Sequence, residues 1–213
     1  MIFPLYAGEG YVVNTLGTQY NLDARKKIIE EVLNSNELGF EYNSLSVVID
    51  TNQKEPRGKI QGRSITLSSS ILRDGEFLKL LVHELGHYVD IYTLAGYSDP
   101  SNIFYRISWQ NKTTKKSGET LSNFVSGYAS TNKYEDFAES FVFYIFHNRD
   151  FADRAMKNDS LRRKYLFFSQ YVFTKGEFVD TDYRIGKIPN YLWDTTKVPI
   201  SVQKYLYSLQ ESI

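Results

Sequence analysis

Two of the three histidines of this chain lie four positions apart, with a glutamate beside the first, in His83-Glu84-Leu85-Gly86-His87. Random placement of the available His and Glu residues would give on the order of 0.003 such pentapeptides, so composition does not account for the pattern. On a helix, residues four apart share a face, and both imidazoles can then meet one metal ion. The chain has no cysteine, so a zinc ion bound there takes its remaining protein ligand from an imidazole or a carboxylate. A fourth position stays open to water. Glu84, one position round from His83, can reach that water and serve as general base. The competing reading is a pair of core histidines satisfied by hydrogen bonds, against which stands the cost of an adjacent Glu on a buried helix.

A third ligand must come from elsewhere. The extended spacing that puts a ligand six residues after the second histidine falls on Thr93, which cannot serve. Asp90 lies too near His87 on the same helix to close a tetrahedron and is suited instead to a hydrogen bond outside the ligand set. Downstream, Tyr134-Glu135-Asp136-Phe137-Ala138-Glu139-Ser140 sets Glu135 and Glu139 one turn apart on an otherwise apolar helix. Carboxylates facing a core need a cation or donors. However, Asn132-Lys133-Tyr134-Glu135 has the spacing of a capping box, which would fold Glu135 back on the helix start and leave Glu139 as ligand. The residues alone leave these two arrangements open. His147, near the end of the same helix, reads as a helix-end or surface histidine.

Taken together, His83 to Asp90, Tyr128, and the run Glu135 to Ser140 resemble the anthrax-lethal-factor-type catalytic domain and its relatives the Pro-Pro endopeptidases, which are gluzincin metallopeptidases. The resemblance covers roughly residues 80 to 147. It departs from the family at Asp136, where the relatives carry an aromatic. It implies a zincin-like fold and one catalytic Zn2+ bound by His83, His87 and Glu135, with Glu139 outside the ligand set. Glu84 is then the base, and Tyr128, seven residues before the third ligand, donates to the developing oxyanion. The implied activity is a zinc-dependent endopeptidase acting on a protein or peptide, with an extracellular or cell-surface setting. Two other readings share the residues: a zinc hydrolase of a non-peptide amide such as a cell-wall link, and an inactive interaction module that keeps zinc for structure.

The elements that must position these groups are legible in outline. Asp74 is a plausible N-cap for a helix to about Leu94, with Phe77, Leu81, Leu85, Tyr88 and Tyr92 on one stripe and Leu80, His83, His87, Asp90 and Leu94 on another. Gly86 is either a point of close backbone approach or neutral variation. Lys133 to Asn148 reads as a second helix, apolar on most sides and therefore buried. Asp23 to Leu33 and residues 150 to 175 also have helical spacing, and Ser201 can cap a last helix to about Leu209. Leu45 to Asp50 suits a buried strand, and Lys59 to Leu67 a hairpin around Gln61-Gly62. Residues 96 to 127, polar and carrying Lys112, Lys115 and Lys116, read as a solvated loop or small lobe. The expected class is α+β in a single unit over residues 1–213. A small mixed sheet and the active-site helix occupy about 1–95, and a mainly helical lobe about 96–213. The substrate is expected to lie along an edge strand near Ile65 to Ser68.

Composition narrows the partners. Lys+Arg and Asp+Glu number 25 each, which argues against nucleic acid or an anionic membrane surface. The longest apolar run, Phe141 to Phe146, is far short of the roughly 18 residues of a membrane span. No signal-peptide pattern is read at the start of the chain. With 42% hydrophobic and 15% aromatic residues, the sequence can bury a sizeable core.

Overall fold

A computed structural model describes residues 2–8, 11–16, 22–35, 38, 42, 44–94, 99–189 and 191–211. Strands β1 (Ile2–Gly8), β2 (Tyr11–Leu16), β3 (Leu45–Asp50), β4 (Gly58–Gln61) and β5 (Ser64–Ser68) form one mixed sheet in the order β1-β2-β3-β5-β4. β1 with β2 and β4 with β5 are antiparallel, whereas β2 with β3 and β3 with β5 are parallel. Val13, Leu45, Val47, Ile49, Ile65 and Leu67 are all buried, so the period-two apolar pattern turns one face of the sheet into the core. Gly62, at φ +58°, opens the two-residue turn that reverses β4 into β5.

The sheet order corrects one expectation. Ile65 to Ser68 lies on an interior strand, hydrogen-bonded on both sides, and among the described residues the edge strand beside it is β4. Full burial of Ile65 and Leu67 accompanies that interior position, while β4 alternates half-buried and exposed residues as an edge does.

Helix α1 (Leu22–Asn34) carries the chain from β2 to β3 and buries Ile28, Ile29, Val32 and Leu33. α2 (Asp74–Tyr88) packs against β4 and β5 on one side and α4 (Lys133–Phe146) on another. Every residue from Phe77 to Tyr88 is buried. Its N-cap is Arg73 in extended conformation, and Asp74 is the first helical residue, where its charge suits the positive helix end. A π-turn, Val89–Thr93, continues α2. At the α2–α4 crossing, a Cβ added to Gly86 would stand 3.2 Å from Ala138 Cα, so glycine lets the two backbones meet.

α4 is surrounded by aromatic rings. Phe137, Phe141, Phe143, Tyr144 and Phe146 are fully buried, and the centroids of Phe104, Phe137, Phe167 and Phe168 lie 5.1–5.9 Å apart in edge-to-face pairs. Phe104 comes from α3 (Ser101–Ser108), a short helix inside the segment expected to be a solvated loop or small lobe. The helical stretch expected over 150–175 is two helices, α5 (Asn148–Ala155) and α6 (Asp159–Phe167). They break where Asn158 caps α6 by accepting from Leu161 N at 3.0 Å. Ser201 precedes the last helix, α7 (Val202–Glu211), and accepts from Lys204 N at 3.3 Å. The architecture is thus α+β with a small mixed sheet. Among the described residues no helix is long and apolar enough to cross a membrane.

Candidate metal centre

α2 and α4 bring His83, His87 and Glu135 together. The Nε2 atoms of His83 and His87 lie 3.1 Å and 3.4 Å from Glu135 Oε2. Donor atoms bound about 2 Å from one tetrahedral ion sit about 3.3 Å from each other, so these two distances are compatible with a shared ion as well as with direct hydrogen bonds. The donors lie within 4.8 Å of one another, and no other such group of His, Asp or Glu occurs among the described residues. Two imidazoles and a carboxylate are donors that suit a divalent ion, and the residues present would fit zinc.

Electrostatics describe the same need for a cation. Burial opposes charge on His83, yet its hydrogen bonds to Glu135 and Glu139 outweigh that and raise its pKa well above 6.5. Burial pushes Glu135 up, and the two imidazoles more than reverse this, holding it well below the usual carboxylate range. A proton or a metal ion must share the space between these groups.

The helix start resolves the two roles left open for Glu135. Asn132 caps α4 by accepting from Tyr134 N and Glu135 N at 3.0 and 3.1 Å, but the reciprocal half of a capping box is not made, because the Glu135 carboxylate faces the histidines. Glu139, one turn on and fully buried, lies 3.2 Å from His83 Nδ1. It accepts from Ser126 Oγ and, at 2.9 Å each, from Thr195 N and Thr195 Oγ1. These donors hold the carboxylate in place beside the Nδ1 edge of His83, on the opposite side of the ring from the Nε2 that faces Glu135.

Glu84 is buried, and desolvation raises its pKa. Its carboxylate packs on Gly58 at the start of β4, where an added Cβ would lie 2.5 Å from Oε1. A cavity of about 210 Å3 is lined by Gly58, Leu80, His83, Glu84, Tyr128 and Trp193, among others. The Tyr128 ring stacks on His83 with centroids 6.1 Å apart. Burial and the nearby Glu135 raise its pKa, so the phenol stays protonated and can donate. Arg57, next to Gly58, binds Glu76 at 2.6 Å and also Asp194, fastening the edge strand to α2 and to the 3-10 turn Thr195–Lys197.

The remaining expected residues fall outside this cluster. The Asp90 carboxylate accepts from Tyr105 on α3. Burial raises its pKa to about 6, against the lowering effects of its hydrogen bonds and of His87. Asp136 points away from the histidines to Lys164, 2.8 Å away on α6, and to Trp109 Nε1 at 2.9 Å. His147 does cap the end of α4 but is fully buried rather than at the surface. Burial, then Lys79, Arg184 and Arg154, push its pKa well below 6.5. Sequence reasoning missed Gly58, Ser126, Trp193 and Thr195, none of which stands at a periodic distance from the His-Glu-x-x-His pattern. Compared with known proteins, the chain matches no family model and no curated sequence.

Proposed function

We propose that this chain is a zinc-dependent endopeptidase of the gluzincin type. The observation that carries the reading is that His83 Nε2 and His87 Nε2 both lie 3.1–3.4 Å from Glu135 Oε2, with Glu84 buried beside them. A zinc ion held by these residues supplies a Lewis acid and a water of lowered pKa. Glu84 takes a proton from the attacking water and returns it to the departing amine, a double role that its raised pKa suits. The Tyr128 hydroxyl donates to the oxygen on which charge develops. Ser126 and Thr195, through Glu139, hold His83 in the required tautomer. The peptide bond, rather than another amide, is favoured by the edge strand β4. An extended peptide pairing there would pass Gly58 and lay its carbonyl against Glu84.

The test is metal analysis beside hydrolysis of a peptide library. Wild-type protein should hold one zinc per chain and cleave peptides. Glu84→Gln should keep the zinc and lose turnover by at least about a thousandfold, in the range of a general base acting as part of a unit. Absence of stoichiometric metal, or turnover undiminished in Glu84→Gln, would overturn the reading. Cleavage of cell-wall fragments without cleavage of peptides would transfer the same chemistry to another amide.

A further inference from the structure

A cavity of about 870 Å3 lies behind one wall of the metal centre rather than in it. That wall is two chain segments side by side: Gly127 N donates to Leu192 O at 2.8 Å and Tyr128 N to Trp193 O at 2.6 Å. Tyr128 and Trp193 face the metal cavity, while Gly127, Tyr191 and Leu192 face the larger one. A Cβ on Gly127 would stand 2.5 Å from the Trp193 ring and 2.9 Å from the Tyr191 hydroxyl, so both rings lie across the crest of the wall. They are 55% and 60% exposed. An apolar surface therefore leads from one cavity into the other.

The floor of the larger cavity is apolar, with Phe124, Val125 and Leu161 buried beneath it. Its rim carries Arg154, Lys157, Arg184 and Lys187 against a single carboxylate, Asp150. The arginines are matched, since Arg154 and Arg184 lie 2.8 and 3.6 Å from Asp150, and Arg184 lies 2.9 Å from Asp182. Lys157 and Lys187 are exposed, and neither ammonium has an ion pair or hydrogen bond among the described residues. An apolar floor with an unmatched positive rim complements a chain that carries apolar and acidic side chains together.

We propose that this groove is an exosite for an acidic, apolar segment of the polypeptide substrate, reached over the Trp193–Gly127–Tyr191 crest. The proposal rests on the peptidase reading. The metal cavity, at about 210 Å3, has room only for residues flanking the scissile bond, whereas the groove has about four times that volume. Lys157 and Lys187 select the acidic segment and the exposed Leu121 and Tyr191 side chains receive its apolar ones, so the sequence preference extends beyond the cleaved bond.

Binding is read by fluorescence anisotropy of a fluorescein-labelled peptide alternating Glu and Leu, on the full chain carrying Glu84→Gln so that nothing is cleaved. The expected result is saturable binding that weakens at least about tenfold in Lys157→Glu/Lys187→Glu, and that persists in Lys26→Glu/Lys27→Glu on α1, which makes the same change in net charge. Equal affinity in the groove variant, or equal binding of a Lys/Leu peptide, would overturn the exosite. The two readings fail separately. A protein that binds the acidic peptide through Lys157 and Lys187 but hydrolyses no peptide keeps the groove and loses the peptidase. One that hydrolyses peptides while the groove reversal leaves binding unchanged does the opposite.

Discussion

A methyl group on Gly58 would stand 2.5 Å from Glu84 Oε1 and 3.1 Å from Leu80 Cδ1. Real Cβ contacts do not come that close, so Gly58→Ala must displace either the edge strand or the base. The Glu84 carboxylate is the softer partner, having no hydrogen bond among the described residues to hold it where the glycine leaves room. A displacement of about 1 Å in a catalytic group costs up to about a hundredfold in rate. Gly58→Ala is therefore expected to lower kcat by about 10- to 100-fold. Zinc content should be unchanged, because His83, His87 and Glu135 meet on α2 and α4 and not on β4. Paired kcat and metal measurements check this, and an unaltered kcat would show that the strand yields instead of the base.

At the scale of elements, the short turn Thr195–Lys197 does what neither ligand helix does for itself, supplying two of the donors to Glu139. Thr195→Val keeps the shape and removes the hydroxyl, which leaves Glu139 Oε1 with His83 as its remaining partner. Zinc affinity should fall about 10- to 100-fold, as for other partners of metal-binding histidines. Thr195→Ser should restore it, whereas a merely structural role would leave competition with a chelator unchanged in Thr195→Val. This turn shows where reading from sequence stops. α2 and α4 were legible because a 3.6-residue period and an i, i+4 histidine pair are local facts. The class of sheet was legible from short β-branched runs. The edge strand was misassigned because strand order is set by pairing partners that no single strand specifies, so Ile65 and Leu67, apolar enough for the interior, went inside. α3 was hidden by its length, a helix of eight residues stabilised by packing of Phe104 rather than by propensity. Thr195 lies 56 residues from Glu139 and carries no spacing signal at all.

For the whole molecule, the buried ammonium of Lys79 does the joining. It sits on α2, fully buried, and donates to Thr195 O at 2.5 Å and to Val198 O, so it binds the N-terminal half to the C-terminal segment that supports Glu139. Desolvation lowers its pKa from 10.5 to about 7, against the opposing pull of Asp194, Glu139 and Glu76. In its neutral form the amine still has two hydrogens for the two carbonyls. Between pH 7 and 10.5 the unfolded chain holds a proton that the folded protein has released, so folding becomes more favourable as pH rises across that window and levels off beyond either end. The slope from this one group is about 1.4 kcal/mol per pH unit. Lys79→Met removes the titration and leaves two buried carbonyls short of a donor, so the variant should be less stable throughout, and its deficit relative to wild type should widen from pH 7 to pH 10. Urea unfolding of both proteins across that range measures the difference. A constant deficit would mean that Lys79 stays charged in the fold and that Asp194, Glu139 and Glu76 outweigh its burial.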